Sequence, residues 1–240
     1  MLRRNSDRFN AEPMNVAALI VAAGKGERAG SPLPKQYTHV AGKSLIAHAV
    51  DSFRAHPRIS CIYIVHGKNQ ADMLKTALAG RRVDGAVLGG VERQNSVLAG
   101  LTYMAEHGDI DAVLIHDAAR PFIPAIVIDR LIAALADVEG AVPVLPVVDT
   151  LAQTHDNAVG AVVDRSTLVR VQTPQAFRFD AIMTSHMDWT GGVATDDAQM
   201  VRAAGFSVAM VTGDAMLDKI TLPQDFGMAE TRLASSMIVR

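Results

Sequence analysis

Short apolar runs alternate with amphipathic segments along most of this chain. Runs that are apolar on both faces are typical of interior strands of a parallel sheet. The predicted strands are residues 16–22, 60–65, 83–88, 111–116 and 140–146. We therefore expect a sheet that is covered by other elements on both sides.

Amphipathic stripes with helical spacing lie between these runs. The first stripe follows Ser44, a candidate helix cap, and consists of Ile46, Ala49, Val50 and Phe53. Equivalent stripes begin at Val97, behind a candidate cap at Asn95 or Ser96, and at Ile128. Alternating strands and helices predict right-handed crossovers and a doubly wound, mainly parallel α/β sheet. Ligands of such sheets bind beyond the carboxyl ends of the strands.

Residues 147–172 interrupt this alternation. They carry no long amphipathic helix, but alternate like paired strands around turn residues such as Asp156 and Asn157. We predict a β-arm that protrudes from the fold. Its exposed apolar edge residues, such as Val162 and Val171, favour pairing with a partner, so we expect a homodimer.

Composition narrows the class of protein. The 240 residues carry a net charge of -2, which argues against a general nucleic-acid binder. We expect no membrane span, because no apolar run approaches the length of about 18 residues that this requires. The only cysteine, Cys61, lies in an apolar run, which fits packing in a reducing cytoplasm.

We expect a flexible tail over residues 1–14, with Met14 an alternative start, and one domain over residues 15–240.

Residues 19–37, LIVAAGKGERAGSPLPKQY, form what we call the signature segment. It lacks the P-loop spacing of glycines and lysine. A loose dinucleotide pattern at Gly24, Gly26 and Ala29 is weakened by Pro32 and Pro34, which oppose a helix there. Lys25, Arg28 and Lys35 lie among residues whose small size lets backbone N–H groups approach an anion. This clustering of cations favours a triphosphate ligand.

Several further segments carry a family resemblance. They are GGVERQNSVLAG (89–100), IHDAARPF (115–122), VVDT (147–150), VDR (163–165), TPQAF (173–177), TDDA (195–198) and DKITLPQDF (218–226). In order and spacing, the chain from residue 16 to about 235 resembles the 2-C-methyl-D-erythritol 4-phosphate cytidylyltransferase family. The resemblance implies a Rossmann-like nucleotidyltransferase fold. It also implies that a substrate phosphate attacks the α-phosphorus of CTP and releases pyrophosphate.

The resemblance also implies the roles of individual residues. The catalytic cations are Arg28, Lys35 and Lys219. The nucleotide-binding residues are Ala22, Ala23, Gly24, Gly26, Gly89, Gly90, Ser96 and Asp117. Those for the sugar-alcohol phosphate are Asp117, Arg120, Thr150, Arg165, Thr173 and Thr195. Asp117 is also the expected ligand of Mg²⁺ or another divalent cation.

Other interpretations of single residues remain open. Asp117 is also a candidate helix cap, and Arg93 a candidate brace of its loop. Asp196 and Asp197 are candidate caps of a helix over residues 198–204, and His116 is expected to be structural. Since Thr150 and Arg165 lie in the predicted arm, a dimer would let each chain complete its neighbour's site.

Three other functions are compatible with parts of the sequence. A ribitol-5-phosphate cytidylyltransferase would differ mainly in the arm, at Thr150 and Arg165. An NAD-binding Rossmann protein is supported by the loose glycine pattern alone. A binding or scaffold protein with a degenerate site would not need to retain the cations, so their presence counts against it. We expect no fused cyclodiphosphate synthase domain within these 240 residues.

Overall fold

An eight-stranded mixed sheet forms the centre of the structure, a computed structural model that describes residues 14–24 and 33–238, with side chains up to residue 235. The strands of the described residues are β1 (Val16–Ala22), β2 (His39–Val40), β3 (Lys43–Ser44), β4 (Cys61–His66), β5 (Gly85–Leu88), β6 (Ala112–Asp117), β7 (Gly140–Pro146), β8 (Leu151–His155), β9 (Ala158–Val163), β10 (Val169–Val171), β11 (Gln175–Arg178) and β12 (Val208–Thr212). All five predicted strands are confirmed, with bounds that differ by at most two residues.

The hydrogen-bonded order of the sheet is β10-β7-β11-β6-β1-β4-β5. Strand β12 lies off this path and pairs with β7. Strands β5, β4, β1 and β6 run parallel to one another, as do β7 and β12. Strand β11 is antiparallel to both of its neighbours, β6 and β7, and β10 is antiparallel to β7. The mainly parallel sheet expected from the sequence is confirmed, whereas the sequence patterns did not predict β11 or β12.

Helices cover the sheet on both faces. They are α1 (Leu45–Arg54), α2 (Ala71–Leu78), α3 (Arg93–His107), α4 (Ala125–Ala134), α5 (Phe179–Met187), α6 (Asp197–Ala203) and α7 (Pro223–Ile238). Alternate residues of β1 belong to different cores: Ala18 and Ile20 pack with α1, α2 and α4, whereas Ala17 and Leu19 pack with α3, α5 and α6. This explains why β1 is apolar at every position. None of the described helices is both long and apolar enough to cross a membrane.

The start of α3 differs from the expectation. The helix begins at Arg93, and the side-chain oxygen of Asn95 accepts a hydrogen bond from the backbone N–H of Glu92 at 3.2 Å. Asn95 and Ser96 therefore lie inside the first turn, and the prediction that one of them precedes the helix was wrong. The apolar stripe alone did not reveal the first turn of α3, because the residues of that turn are polar.

The predicted arm contains a two-stranded hairpin that is separate from the main sheet. Strands β8 and β9 pair antiparallel around Asp156 and Asn157, whose φ angles are 48° and 65°. The last part of the predicted arm, β10, pairs instead with β7 in the main sheet. Met14, at the end of the predicted tail, is half-buried, and its sulfur accepts a hydrogen bond from Arg178. Residues 1–13 lie outside the described residues.

The Ser44 hydroxyl caps α1 and links it to α2, which leads to a stability prediction. Its buried hydroxyl accepts from the backbone N–H of Ala47 at 3.2 Å and donates to the carbonyl of Ala77 at 2.8 Å. Ser44→Ala should lower the free energy of unfolding by about 1–2 kcal/mol, since it removes a cap and leaves a buried acceptor unpaired. Urea denaturation would measure this change, and an unchanged midpoint would contradict it.

Candidate active site

The parallel strands bring three predicted segments to one edge of the sheet. Ala22 pairs in register with His66, which pairs with Leu88, while Val21 pairs with Asp117. The residues that follow β1 and β5, together with the end of β6, therefore meet at the carboxyl edge. This is the edge at which such sheets bind ligands.

Gly89 is where the segments after β1 and β5 approach each other. A Cβ atom there would lie 2.7 Å from the Cβ of Ala23 and 2.7 Å from the hydroxyl of Ser96, so a side chain would push these segments apart. The Ser96 hydroxyl accepts from the backbone N–H of Gly90 at 3.2 Å and donates to the carbonyl of Glu92 at 3.1 Å. Ser96 thus holds the turn that presents the backbone of Gly89 and Gly90.

Asp117 is the centre of a cluster of charged side chains. One carboxylate oxygen lies 2.7 Å from the Lys219 ammonium, and the other lies 3.1 Å from the Nε of Arg93. The alternative in which Asp117 caps a helix is wrong, because α4 begins at Ala125 behind Pro124. Lys219 is far away along the chain, so only the fold produces this contact.

The cations decide the protonation state of Asp117. Burial alone would raise the pKa of its carboxyl group, since a charge loses solvation there. The positive charges of Arg93 and Lys219, with a smaller contribution from Arg120, outweigh this and hold the pKa well below its usual range. Asp117 is therefore an ionised carboxylate at neutral pH, which is the state required to hold a cation.

Arg93 does more than brace its loop. Its Nη1 donates to Asp197 at 2.6 Å, and Asp197, which is fully buried, also lies 3.1 Å from the Nε2 of His186. Burial lowers the pKa of Arg93, but the charges of Asp197 and Asp117 raise it overall. The prediction that Asp197 caps a helix was wrong. Asp196 caps α6 by accepting from the backbone N–H of Gln199 at 2.9 Å.

A chain of neutral hydrogen bonds supports the other side of Asp117. The Thr173 hydroxyl accepts from the backbone N–H of Asp117 at 3.1 Å and lies 3.3 Å from the Nδ1 of His116. The Nε2 of His116 lies 2.8 Å from the carbonyl of Arg120, so this nitrogen carries the proton. Burial lowers the pKa of His116 to about 4, which keeps the ring neutral. His116 therefore positions the backbone around Asp117.

Lys35 and Arg120 reach the segment around Lys219. The ammonium of Lys35 donates to the carbonyl of Ile220 at 2.9 Å, next to Lys219. Arg120 donates from Nη1 to the carbonyl of Leu217 at 2.6 Å. Its Nε and the Nη2 of Arg93 are buried and have no hydrogen-bond partner among the described residues. Both guanidinium groups add positive charge beside Asp117, and these two nitrogens are not exposed to solvent.

The remaining predicted residues lie in three places. Thr195 is exposed and donates from its backbone N–H to Gln199 at 3.2 Å, two positions before Asp197. Thr150 and Arg165 flank the hairpin and are exposed, and Arg165 donates to the carbonyl of Val148. Arg165 lines a cavity of 540 Å³ beside β7 and β12, whereas Arg120 and Lys219 line a different one of 370 Å³. Lys25, Gly26 and Arg28 lie outside the described residues.

The carboxylate of Asp117 fits a divalent cation that would also bind a nucleotide. No group of three or more His, Cys, Asp or Glu side chains able to hold a metal occurs among the described residues. Mg²⁺ does not need such a group, because it typically binds one or two carboxylates together with substrate phosphates and water. Ionised Asp117 supplies one carboxylate at the edge where a triphosphate would lie.

Sequence reasoning missed several residues that shape this site. The pairs formed by Asp197 with Arg93 and His186 have no fixed spacing, because they join three different helices. The amides of Gln36 and Gln70 were also missed, although Gln36 directly follows Lys35 in the signature segment. One local signal was present. Asp196 and Asp197 are adjacent and only one of them can cap α6, so the other was free to take a different role.

Comparison with known proteins gives this site a family. The family model described as 2-C-methyl-D-erythritol 4-phosphate cytidylyltransferase, IspD, matches residues 16–235. A bifunctional enzyme IspD/IspF of Rhizorhabdus wittichii is 52% identical over 221 residues, which are 92% of this chain and 56% of that protein. Its counterpart in Rhodospirillum rubrum is 45% identical over 216 residues, or 90% of this chain and 56% of that protein. The chain thus spans little more than half the length of these curated relatives.

Solved structures agree with the sequence comparison. A 4-diphosphocytidyl-2C-methyl-D-erythritol synthase superposes with a TM-score of 0.80 at 29% identity, covering 93% of this chain and all of that one. The 2-C-methyl-D-erythritol 4-phosphate cytidylyltransferase of Thermus thermophilus superposes with a TM-score of 0.75 at 35% identity, covering 91% and 98% of the two chains. The chain belongs to the IspD family of 2-C-methyl-D-erythritol 4-phosphate cytidylyltransferases, which are nucleotidyltransferases.

Proposed function

We propose that this protein transfers the cytidylyl group of CTP to 2-C-methyl-D-erythritol 4-phosphate in isoprenoid precursor synthesis. A phosphate oxygen of the sugar alcohol forms a bond to the α-phosphorus, and the bond from this phosphorus to the bridging oxygen of pyrophosphate breaks. The observation that supports this most is the meeting of Lys35, Asp117 and Lys219 at one sheet edge, from three distant parts of the chain.

Electrostatic positioning is the main task of these side chains. Both reactants are polyanions, and negative charge builds on the phosphoryl oxygens as the phosphorus becomes five-coordinate. In this proposal Lys35 and Lys219 neutralise that charge, together with Arg28. The guanidinium charges of Arg93 and Arg120 add to the attraction for phosphate oxygens, although their unpartnered nitrogens are buried.

A divalent cation, Mg²⁺ in our proposal, would be held by Asp117 and the nucleotide. When bound, it would supply further positive charge beside the α-phosphate. The Asp117 side chain is 13% exposed and already ionised, so it needs no proton loss to bind a cation. Its contacts with Arg93 and Lys219 would hold the carboxylate in place on the protein side.

Backbone groups recognise the nucleoside in this proposal. Ala22 at the end of β1, Ala23 and Gly24 after it, and Gly89 and Gly90 after β5 lie at the same sheet edge, where Gly89 closely approaches Ala23. Only small residues permit a flat base to lie against both segments. Fixed backbone donors and acceptors distinguish the amino group of cytosine from the oxygen of uracil by hydrogen-bond polarity.

The sugar-alcohol phosphate would bind between two copies of the chain. Thr173, Thr195 and Arg120 are near the Asp117 cluster, whereas Thr150 and Arg165 flank the hairpin. We propose that the hairpin pairs two chains into a homodimer and that Thr150 and Arg165 complete the neighbour's site. The exposure of apolar hairpin residues such as Val159 and Val162 in one chain supports this.

We further propose that residues 15–240 form one domain, and that the protein acts in the cytoplasm on CTP without nucleic acid or membrane partners. Apolar clusters on the two faces of one sheet, which include residues from Val16 to Leu217, support the single domain. The lone Cys61 excludes a disulfide within the 240 residues, as is usual for proteins of reducing compartments.

The function is tested by pyrophosphate release from CTP and Mg²⁺ with and without 2-C-methyl-D-erythritol 4-phosphate. Release should require both substrates, and the nucleotide product should contain the sugar alcohol by mass spectrometry. Ribitol 5-phosphate and UTP serve as comparison substrates, and both should react at least about tenfold more slowly, as expected when polar groups select the substrate. Equal or faster release with ribitol 5-phosphate would assign the sister activity instead.

Lys35→Ala should lower kcat by about 100-fold and change the Kd of CTP by less than about tenfold, because its charge is needed most in the transition state. Rapid-quench turnover and calorimetric CTP binding with Mg²⁺ would measure the two quantities. Lys75→Ala, which removes an exposed lysine of α2, is the matched control and should change neither. Equal losses in binding and turnover would contradict the proposed role of Lys35.

Mixing two impaired variants tests whether sites are shared. Arg165→Ala should raise the KM for the sugar-alcohol phosphate, since a guanidinium grips a phosphate with two hydrogen bonds. If Arg165 acts in the neighbour's site, dimers of one Lys35→Ala chain and one Arg165→Ala chain contain one intact site. Refolded mixtures should then regain activity that neither variant has alone at low substrate. No gain, with mixed dimers shown by native mass spectrometry, would place Arg165 in its own chain's site.

A further inference from the structure

A buried cluster of neutral polar groups lies at the base of the signature segment. It consists of the amides of Gln36 and Gln70 and the hydroxyl of Tyr37, whose residues are 3%, 8% and 2% exposed. Burying these groups is costly unless they are hydrogen-bonded. The hydrogen-bond partners of these groups therefore indicate their role.

The Gln36 amide joins two stretches of the signature segment. Its Nε2 donates to the carbonyl of Ala22 at 2.7 Å and to that of Gly24 at 2.9 Å. An amide nitrogen has two hydrogens, so both are used by these carbonyls. The Gln36 side chain therefore links the end of β1 to the stretch that contains Lys35.

Gln70 fixes Gln36 and its neighbour from the other side. Its side-chain oxygen accepts from the hydroxyl of Tyr37 at 3.1 Å and from the backbone N–H of Gly67 at 3.2 Å, and lies 3.4 Å from the Nε2 of Gln36. Burial raises the pKa of Tyr37 to about 12, so its hydroxyl keeps the donated proton. A Cβ on Gly67 would lie 2.7 Å from the Gln70 amide, so this glycine makes room for it.

Lys35 gains its position from this arrangement. It immediately precedes Gln36 in the short 3-10 helix Lys35–Tyr37, whose other end is held by Tyr37. The backbone from which the Lys35 ammonium extends toward Ile220 is therefore tied to the carbonyls of Ala22 and Gly24. Lys35 and the backbone that would contact the nucleotide are therefore held by the same side chain.

We propose that Gln36, oriented by Gln70 and Tyr37, is a positioning residue that holds Lys35 and the backbone of residues 22–24 in a common geometry for phosphoryl transfer. Gln36 does not touch the reacting atoms and acts through Lys35 and this backbone. The kinetic part of this inference rests on the proposed function. The geometric part, that Gln36 joins residues 22–24 to residues 35–37, does not.

A double-mutant cycle with Gln36→Met and Lys35→Ala tests the inference. Methionine keeps the length of the side chain but has no donor, so Gln36→Met should lower kcat by about 30- to 100-fold, as small misplacements of catalytic groups do. In a Lys35→Ala background the same change should cost much less, because the group that it positions is gone. Additive effects of the two substitutions would overturn the proposal, as would wild-type kcat in Gln36→Met.

Gln36→Glu supplies a pH signature that a merely structural role would not produce. A carboxylate would face two carbonyl oxygens without any donor, whereas a protonated carboxyl group can donate to one of them. The kcat of Gln36→Glu relative to wild type should therefore rise as the pH falls from 8.5 to 6, while the same ratio for Gln36→Met stays flat. A flat ratio for both variants would overturn the proposal.

Amide hydrogen exchange separates this inference from the proposed function. Gln36→Met should speed exchange in peptides covering residues 17–24 and 33–40 at 25 °C. Ser185→Ala, the matched control, removes a buried hydroxyl of α5 that donates to the carbonyl of Ala181 within the same helix, and should leave both kcat and these peptides unchanged. If wild type released no pyrophosphate, the proposed function would fail, and exchange alone would decide. Faster exchange in these peptides would support the proposal that Gln36 joins residues 22–24 to residues 35–37, and exchange equal to that of the control would overturn it.

Discussion

The need to compensate an ionised carboxylate at the edge of a sheet governs much of this structure. Asp117 is buried enough that its charge is costly without partners, and Arg93 and Lys219 provide them. Arg93 is itself partly buried and requires Asp197, which in turn contacts His186. Charges thus alternate in sign from Asp197 on α6 through Arg93 and Asp117 to Lys219 in the segment before α7. Removing one member leaves its neighbour uncompensated, so the site and the packing of these elements depend on each other.

The parallel part of the sheet makes this arrangement possible. Because β1, β4, β5 and β6 run in the same direction, the segments that follow them emerge on one side, and no strand has to reverse to bring them there. Strand β11 closes the other side of β6 in the antiparallel direction, and Thr173 just before it contacts Asp117. The mixed topology therefore supplies a neutral support on one side of the carboxylate and cations on the other.

Two kinds of polar network meet at this edge, and they do different work. The charged cluster around Asp117 is suited to binding polyanions, since it brings together the cations Arg93, Arg120 and Lys219. In the neutral cluster of Gln36, Gln70 and Tyr37, the amide nitrogen of Gln36 and the hydroxyl of Tyr37 are already hydrogen-bonded, and the cluster fixes the backbone instead. A neutral network suits this task because it holds geometry without adding charge close to a triphosphate.

The sequence alone determined the five apolar strands, the three helical stripes, and the family resemblance that named Lys35, Asp117 and Lys219. These follow from local periodicity and from short motifs whose residues are close together in the chain. It did not determine the start of α3, the antiparallel insertion of β11, or the partners of Arg93. Asp196 and Asp197 show why. Both are of a residue type that caps helices, but Asp197 is buried in contact with Arg93 of α3 and His186 of α5. Contacts between residues about a hundred positions apart leave no periodic trace, so only the tertiary structure decided which charges meet.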